Sequence, residues 1–151
     1  MFLCSLAEFL GFQGRWDEAR EAYRNALSDG GRTIIDPRIG LLDIDVESGE
    51  HDRIDTHLPV LLQASRDGEL SDHDCEWIGE ALEEADRLKD AHRWFTIPLR
   101  DIDPDDIGQL PIGCINGRYR VRRDLELPMD KYDEATFAVR DLYRAARGLD
   151  D

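Results

Sequence analysis

A chain of 151 residues with 41% hydrophobic and 35% charged side chains can bury one continuous core, and its composition is that of a globular domain. Thirty-four acidic residues against nineteen basic ones give a formal charge of −15, which repels DNA, RNA and anionic membranes unless basic residues gather in a patch. Three widely spaced cysteines, Cys4, Cys75 and Cys114, include no Cys-x-x-Cys pair, so a disulfide framework is excluded and a reducing compartment, the cytoplasm, is expected.

In chain order, "MFLCSLAEFLGF" carries Glu8 within its apolar stretch and lacks a basic leader, so it reads as a structural helix and not as a signal peptide. Leu6, Ala7 and Leu10 share one face of this helix, and Gly14 ends it. "GRWDEAREAYRNAL" then places Ala19, Tyr23 and Ala26 on one face of a second helix, where small residues admit a close neighbour and the aromatic fills the groove between. "SDGGR" at 28–32 is a stop, and Asp36-Pro37 sets a cap before a proline at the first helical position.

The arrangement returns twice. Leu41, Leu42, Gly49, Ile54, Leu58 and Leu61 form a second helix pair, in which Pro59 is expected to kink the second helix or delay its start. Ile78, Gly79, Leu82, Ala91, Phe95 and Pro98 form a third, opened by a capping box of Ser71 and Asp74. Ala19, Ile54 and Ala91 recur at 35 and 37 residues. No run alternates with period two, so strands are not expected.

These residues resemble the tetratricopeptide repeat, a unit of about 34 residues of helix, turn and helix. The first copy, "GRWDEAREAYRNAL", is close to the family's second-helix wording, whereas the second has Leu42 where a small residue is usual. With the following "RYRVRRDLELPMDKYD", the chain resembles uncharacterised bacterial tetratricopeptide-like proteins. Some of those carry a cysteine-rich metal motif that three scattered cysteines cannot supply, so no metal or cofactor is implied. The resemblance implies an all-α fold: a right-handed α–α superhelix of three helix pairs over residues 1–100, followed by two C-terminal helices.

After Leu99, "RDIDPDDIGQLP" provides an acidic connector, 101–111. Residues 112–151 then form a C-terminal helical cap within the same domain, since a solenoid must cover its terminal apolar face. "IGCINGRYRVRRDLELP" reads as a short basic helix closed by Pro128, with Asn116-Gly117 a local irregularity. The last helix has Asp130 as cap, Tyr132, Ala135, Val139, Leu142 and Ala146 at helical spacing, and Gly148 as stop.

Catalytic constellations do not emerge. Of His51, His57, His73 and His92, only His73 sits in a suggestive run, with Asp74 and Cys75, but adjacent residues on a helix point in different directions and no matching ligand cluster recurs elsewhere at i, i+3 or i+4. The cysteines read as small apolar residues, and no glycine-rich loop follows a strand. The arginines at 118, 120, 122 and 123 are expected to form exposed i, i+4 pairs, Arg120–Asp124 and Arg122–Glu126; docking on acidic surface ranks second. Reading Arg118–Arg123 as a nucleic-acid contact makes a regulatory nucleic-acid-associated protein the alternative function.

The expected function is non-catalytic protein–protein interaction. The resemblance implies a concave surface lined by the first helix of each pair: Cys4, Glu8 and Phe12, then Asp36, Ile39, Asp43 and Glu47, then His73, Glu76, Glu80, Glu83 and Glu84. Such a trough would attract a basic partner segment or the chain's own "RYRVRR". A stack opening at Met1 would leave Phe2, Leu3, Phe9 and Phe12 uncovered, which predicts a homodimer or another partner there.

Overall fold

The computed structural model describes the backbone of residues 2–30 and 35–148, and the side chains of residues 6–30 and 35–148. Within them the chain is all helical, with eight α-helices: α1 (Phe2–Phe12), α2 (Trp16–Asp29), α3 (Pro37–Glu47), α4 (Ile54–Arg66), α5 (Asp72–Glu84), α6 (Leu88–Thr96), α7 (Ile112–Asp124) and α8 (Lys131–Ala146). Contacts divide it into two compact units, 1–70 and 71–151. That boundary falls inside the stretch which the repeat spacing groups as one array.

In the first unit α1 packs on α2, α2 on α3 and α3 on α4. Its core gathers Ala7, Leu10, Ala19, Ala22, Tyr23, Ala26 and Ile44. Gly14 adopts φ 70° in the turn, where a residue without Cβ is unstrained. The Asp36 side chain accepts from the Arg38 N–H, and Pro37 starts α3 where no N–H is needed. Leu6 departs from expectation: it is 37% exposed, so the buried face of α1 is carried by Ala7 and Leu10.

The small residue of the second pair is Gly40, two positions before Leu42. A Cβ on Gly40 would lie 2.3 Å from the Tyr23 ring, so α2 and α3 approach through a glycine–aromatic contact. Leu42 is itself fully buried. Pro59 neither ends nor delays α4, which runs through it from Ile54 after a 3-10 turn at His51–Arg53. Pro59 is exposed, and its ring needs no room in the core.

The second unit repeats the device. Phe95 of α6 covers Gly79 of α5, where a Cβ would come within 2.6 Å, and also Gly117 of α7, within 2.4 Å. Gly117 therefore sits inside a continuous helix as a packing position, and the expected irregularity at Asn116-Gly117 is absent. Tyr23 and Phe95 are 72 residues apart and occupy matching places in α2 and α6. The connector is part of this unit's core: Ile102 and Ile107 pack with Leu99, Leu110, Cys114, Ile115, Ala135 and Val139. The Tyr132 hydroxyl, donating to one carbonyl at a time, lies 2.9 Å from the oxygen of Leu99 and 2.7 Å from that of Ile102. Asp130 and Asp133 form a capping box at the start of α8. Leu142 and Ala146 are exposed, correcting the expectation of a buried stripe along the whole helix.

Candidate functional site

The acidic positions on the first helix of the third pair converge on one side of α5, within the second unit. Spacing of three and four residues puts Glu76, Glu80, Glu83 and Glu84 along neighbouring rows of this helix. Each meets a different fate. The Glu76 carboxylate lies over the first turn of α7, where a Cβ on Gly113 would come within 2.0 Å of it. Negative charge is favoured at that helix N-terminus. Glu83 is held by Arg120 in a bidentate clamp, with Nε donating at 3.0 Å and Nη2 at 2.8 Å.

Glu80 and Glu84 remain exposed. Partial burial pushes the Glu80 carboxyl above its ordinary value, and the Glu76 charge pushes it further; Arg120 opposes this and Glu83 adds to it. Two neighbouring carboxylates, Glu76 and Glu83, and one guanidinium, that of Arg120, thus act on Glu80. His73, also in this stretch, is 76% exposed at its side chain and stands 3.5 Å from Glu76.

The arginine run does not make the expected i, i+4 pairs. Arg120 crosses to Glu83 on α5, and Arg122 donates to Asp133 at 2.8 Å and to the Pro128 carbonyl at 2.7 Å. Arg118 donates to Asp130 at 2.6 Å and stands 3.3 Å from Asp133. The reason is geometric: α7 packs against α5, α6 and α8, which brings Glu83, Asp130 and Asp133 within reach in partly or fully buried surroundings, and ion pairs shielded from water outweigh exposed ones. Only Arg123 of the four pairs locally, with Asp124 at 3.2 Å. Docking on acidic groups of the same chain, ranked second from the sequence, is what the structure shows.

This network perturbs its members. Burial and then the charges of Arg118 and Arg122 hold the His92 imidazole below its ordinary value, so its Nε2, 3.4 Å from Arg122 Nη1, is an acceptor. Burial alone would raise Asp130, but hydrogen bonds from Arg118 and from the Asp133 N–H, together with the charges of Arg118 and Arg122, bring its carboxyl down to about 2.

The first unit holds a comparable polar seam that the sequence did not disclose. Arg20, buried on α2, donates to Asp45 at 2.8 Å, and Asp45 is 2.6 Å from His57 Nε2. Arg20 and His92 are 72 residues apart, as are Tyr23 and Phe95, so both units place a polar residue at this point of the aromatic-bearing helix. An arginine next to Ala19 on the packed face was the available signal.

The remaining trough residues of the first unit are not equivalent. Glu8 and Asp43 are half-buried, Glu47 is exposed, and Asp36 is engaged by its cap and by Arg38 at 2.8 Å. Ile39 is 1% exposed and belongs to the core, which corrects its place on an open face. Phe12 is 92% exposed and Phe9 is 55% exposed. The side chains of Phe2, Leu3 and Cys4 lie outside the described residues. A hollow of about 530 Å³ on this unit is walled by Asp17, Arg20, Glu21, Arg24, Asn25 and Arg53, charges of both signs.

Burial pushes the Cys75 thiol up to about 12 and raises Cys114 as well, with nearby carboxylates adding to both, so these sulfurs are poor nucleophiles. Among the described residues, no grouping of three or more His, Cys, Asp or Glu has the makeup of a metal site, and no helix is long and apolar enough to cross a membrane. Comparison with family models, with curated proteins and with solved structures found no match to this chain.

Proposed function

We propose that the chain is a non-catalytic protein-interaction module of tetratricopeptide-like helix pairs, whose α5–α7 face takes a basic, guanidinium-bearing segment of a partner protein. The observation that carries this reading is the Arg120–Glu83 clamp: the acidic face of α5 already holds one guanidinium, in bidentate geometry, at its edge. Glu80 and Glu84 extend the same face with carboxylates still open to solvent. Glu80 stands beside the charges of Glu76 and Glu83, which a second cation would offset, and a partner arginine supplies one. Two free buried thiols, Cys75 and Cys114, suit a cytoplasmic setting. Occupation of Arg118, Arg120 and Arg122 by carboxylates favours this reading over contact with nucleic acid.

A fluorescence-anisotropy titration with an arginine-rich peptide tests it, using a citrulline-substituted peptide as the uncharged control. Binding to the native chain is expected for the arginine peptide, weakening as salt rises and falling at least tenfold in a Glu80→Gln, Glu84→Gln variant. Equal binding of both peptides, or no effect of the double substitution, overturns the proposal.

A further inference from the structure

One surface of the second unit is unlike the rest of this acidic chain. Residues 141–148, the last turns of α8 and the residues just beyond, are all exposed. Phe137, Arg140, Tyr143, Arg144 and Arg147 form two rows at spacings of three and four residues, 137–140–143–147 and 140–144–147, which lie side by side as a stripe on one face of the helix.

The stripe is preorganised. Arg140 lies 5.3 Å from the Tyr119 ring centre and 5.9 Å from that of Phe137, and Arg147 lies 4.5 Å over Tyr143. Tyr119 and Phe137 meet edge to face at 5.4 Å. Arg140 also donates to the Asn116 side chain at 2.6 Å. Aromatic residues and arginines in contact form the composition that dominates binding energy at protein interfaces. Phe137, Leu142 and Tyr143 are 46%, 47% and 39% exposed.

Three arginines against Asp141 make this stretch locally positive in a chain of net charge −15. Its complement, the Glu80–Glu84 face, lies on α5 of the same unit. α7 packs against both α5 and α8, and α5 and α8 make no contact with each other among the described residues. The two complementary surfaces thus lie on helices that do not pack on each other within the chain.

We propose that the arginine–aromatic stripe of α8 docks on the Glu80–Glu84 face of α5 in a second copy of this chain, and that the contact is made in both directions to close a two-fold dimer. The inference rests on the reading that the α5 face takes guanidinium groups, and it names one such donor. Arg144 and Arg147 reach carboxylates of the second copy, while Phe137 and Tyr143 bury against its helices and exclude water around the charges.

Sedimentation velocity at about 0.15 M salt over a wide concentration range tests the dimer. Three proteins are needed: the native chain, an Arg144→Glu, Arg147→Glu variant and a Glu80→Arg, Glu84→Arg variant, each with helical content checked by circular dichroism. The native chain is expected to form a concentration-dependent dimer, and each variant to dissociate at least tenfold more readily. An equimolar mixture of the two variants restores a dimer, because one contact then pairs the two reversed surfaces and the other pairs the two native ones, both of opposite sign. A monomeric native chain, a dimer unaffected by either reversal, or a mixture that stays monomeric overturns the inference. The two readings are distinguishable: if the native chain is a monomer that binds the arginine-rich peptide, and the Glu80→Arg, Glu84→Arg variant does not bind it, the α5 reading stands while the dimer falls.

Discussion

Gly40 and Gly117 show how a single missing Cβ sets the distance between helices. At each, the space that a methyl group would need is filled by an aromatic ring from the preceding pair, Tyr23 or Phe95. Gly117→Ala forces the Phe95 ring or the α7 backbone to move, and destabilisation of about 1–3 kcal/mol is expected in urea unfolding. Adding Phe95→Leu to that variant recovers part of the loss, because the two sites share one volume. Titration at the polar seam gives a second expectation. His92 and Asp130 are both held below their ordinary values, so the folded state binds these protons less readily than the unfolded chain. Their contribution to stability is complete above the unfolded values, then lost as pH falls, first below about 6.5 through His92 and next below about 3.8 as Asp130 nears its folded value of about 2. Urea unfolding at stepped pH should show the upper limb disappear in His92→Gln while the lower one remains. The residues legible in the sequence here were those whose role is local: Ala19, Tyr23 and Ala26 on one helical face, or Ser71 and Asp74 in a cap. Arg120 and Arg122 were not, since their partners Glu83 and Asp133 are distant in sequence and the spacing rules reveal only near neighbours.

Among the elements, caps and stops were read from sequence because each depends on a few adjacent groups. Asp36-Pro37 opens α3, Asp130 opens α8, and Gly148, with φ 63°, follows its end. Pro59 does not delay the start of α4, since Ile54, Leu61 and Ala64 are buried and their packing keeps the helix going around it, a support that the proline rule for a helix in isolation leaves out. The connector misled in the other direction. Its aspartates and prolines suggest a solvated link, yet Ile102, Ile107 and Leu110 join the core, and the Tyr132 hydroxyl fastens the chain there. Tyr132→Phe removes that donor while keeping the ring. It is expected to cost about 1 kcal/mol by urea unfolding and to speed amide exchange in residues 99–110 relative to the first unit. Unchanged exchange in that segment would show that the hydroxyl does not hold it.

Across the whole molecule, the eight helices and their all-α class were accessible from periodicity, caps and stops together with the repeat resemblance, while the division after residue 70 was not. The reason is that the two units share positions more than residues: Tyr23 answers to Phe95 and Gly14 to Asp86, both of the latter with positive φ, but Arg20 answers to His92. A charge-exchanged seam hides this correspondence from a search for like residues. The acidic face of α5 was visible as a row of glutamates, but which of them are spent depends on α7, whose Gly113 and Arg120 take up Glu76 and Glu83. The claim that this face receives a guanidinium-bearing segment is tested most directly by recording amide shifts of the isotope-labelled chain as the arginine-rich peptide is added. Saturable changes are expected on residues 76–84 of α5 and the facing part of α7, abolished by Glu80→Gln with Glu84→Gln. Changes confined to the first unit, or spread evenly over the acidic surface and unaffected by those substitutions, would contradict it.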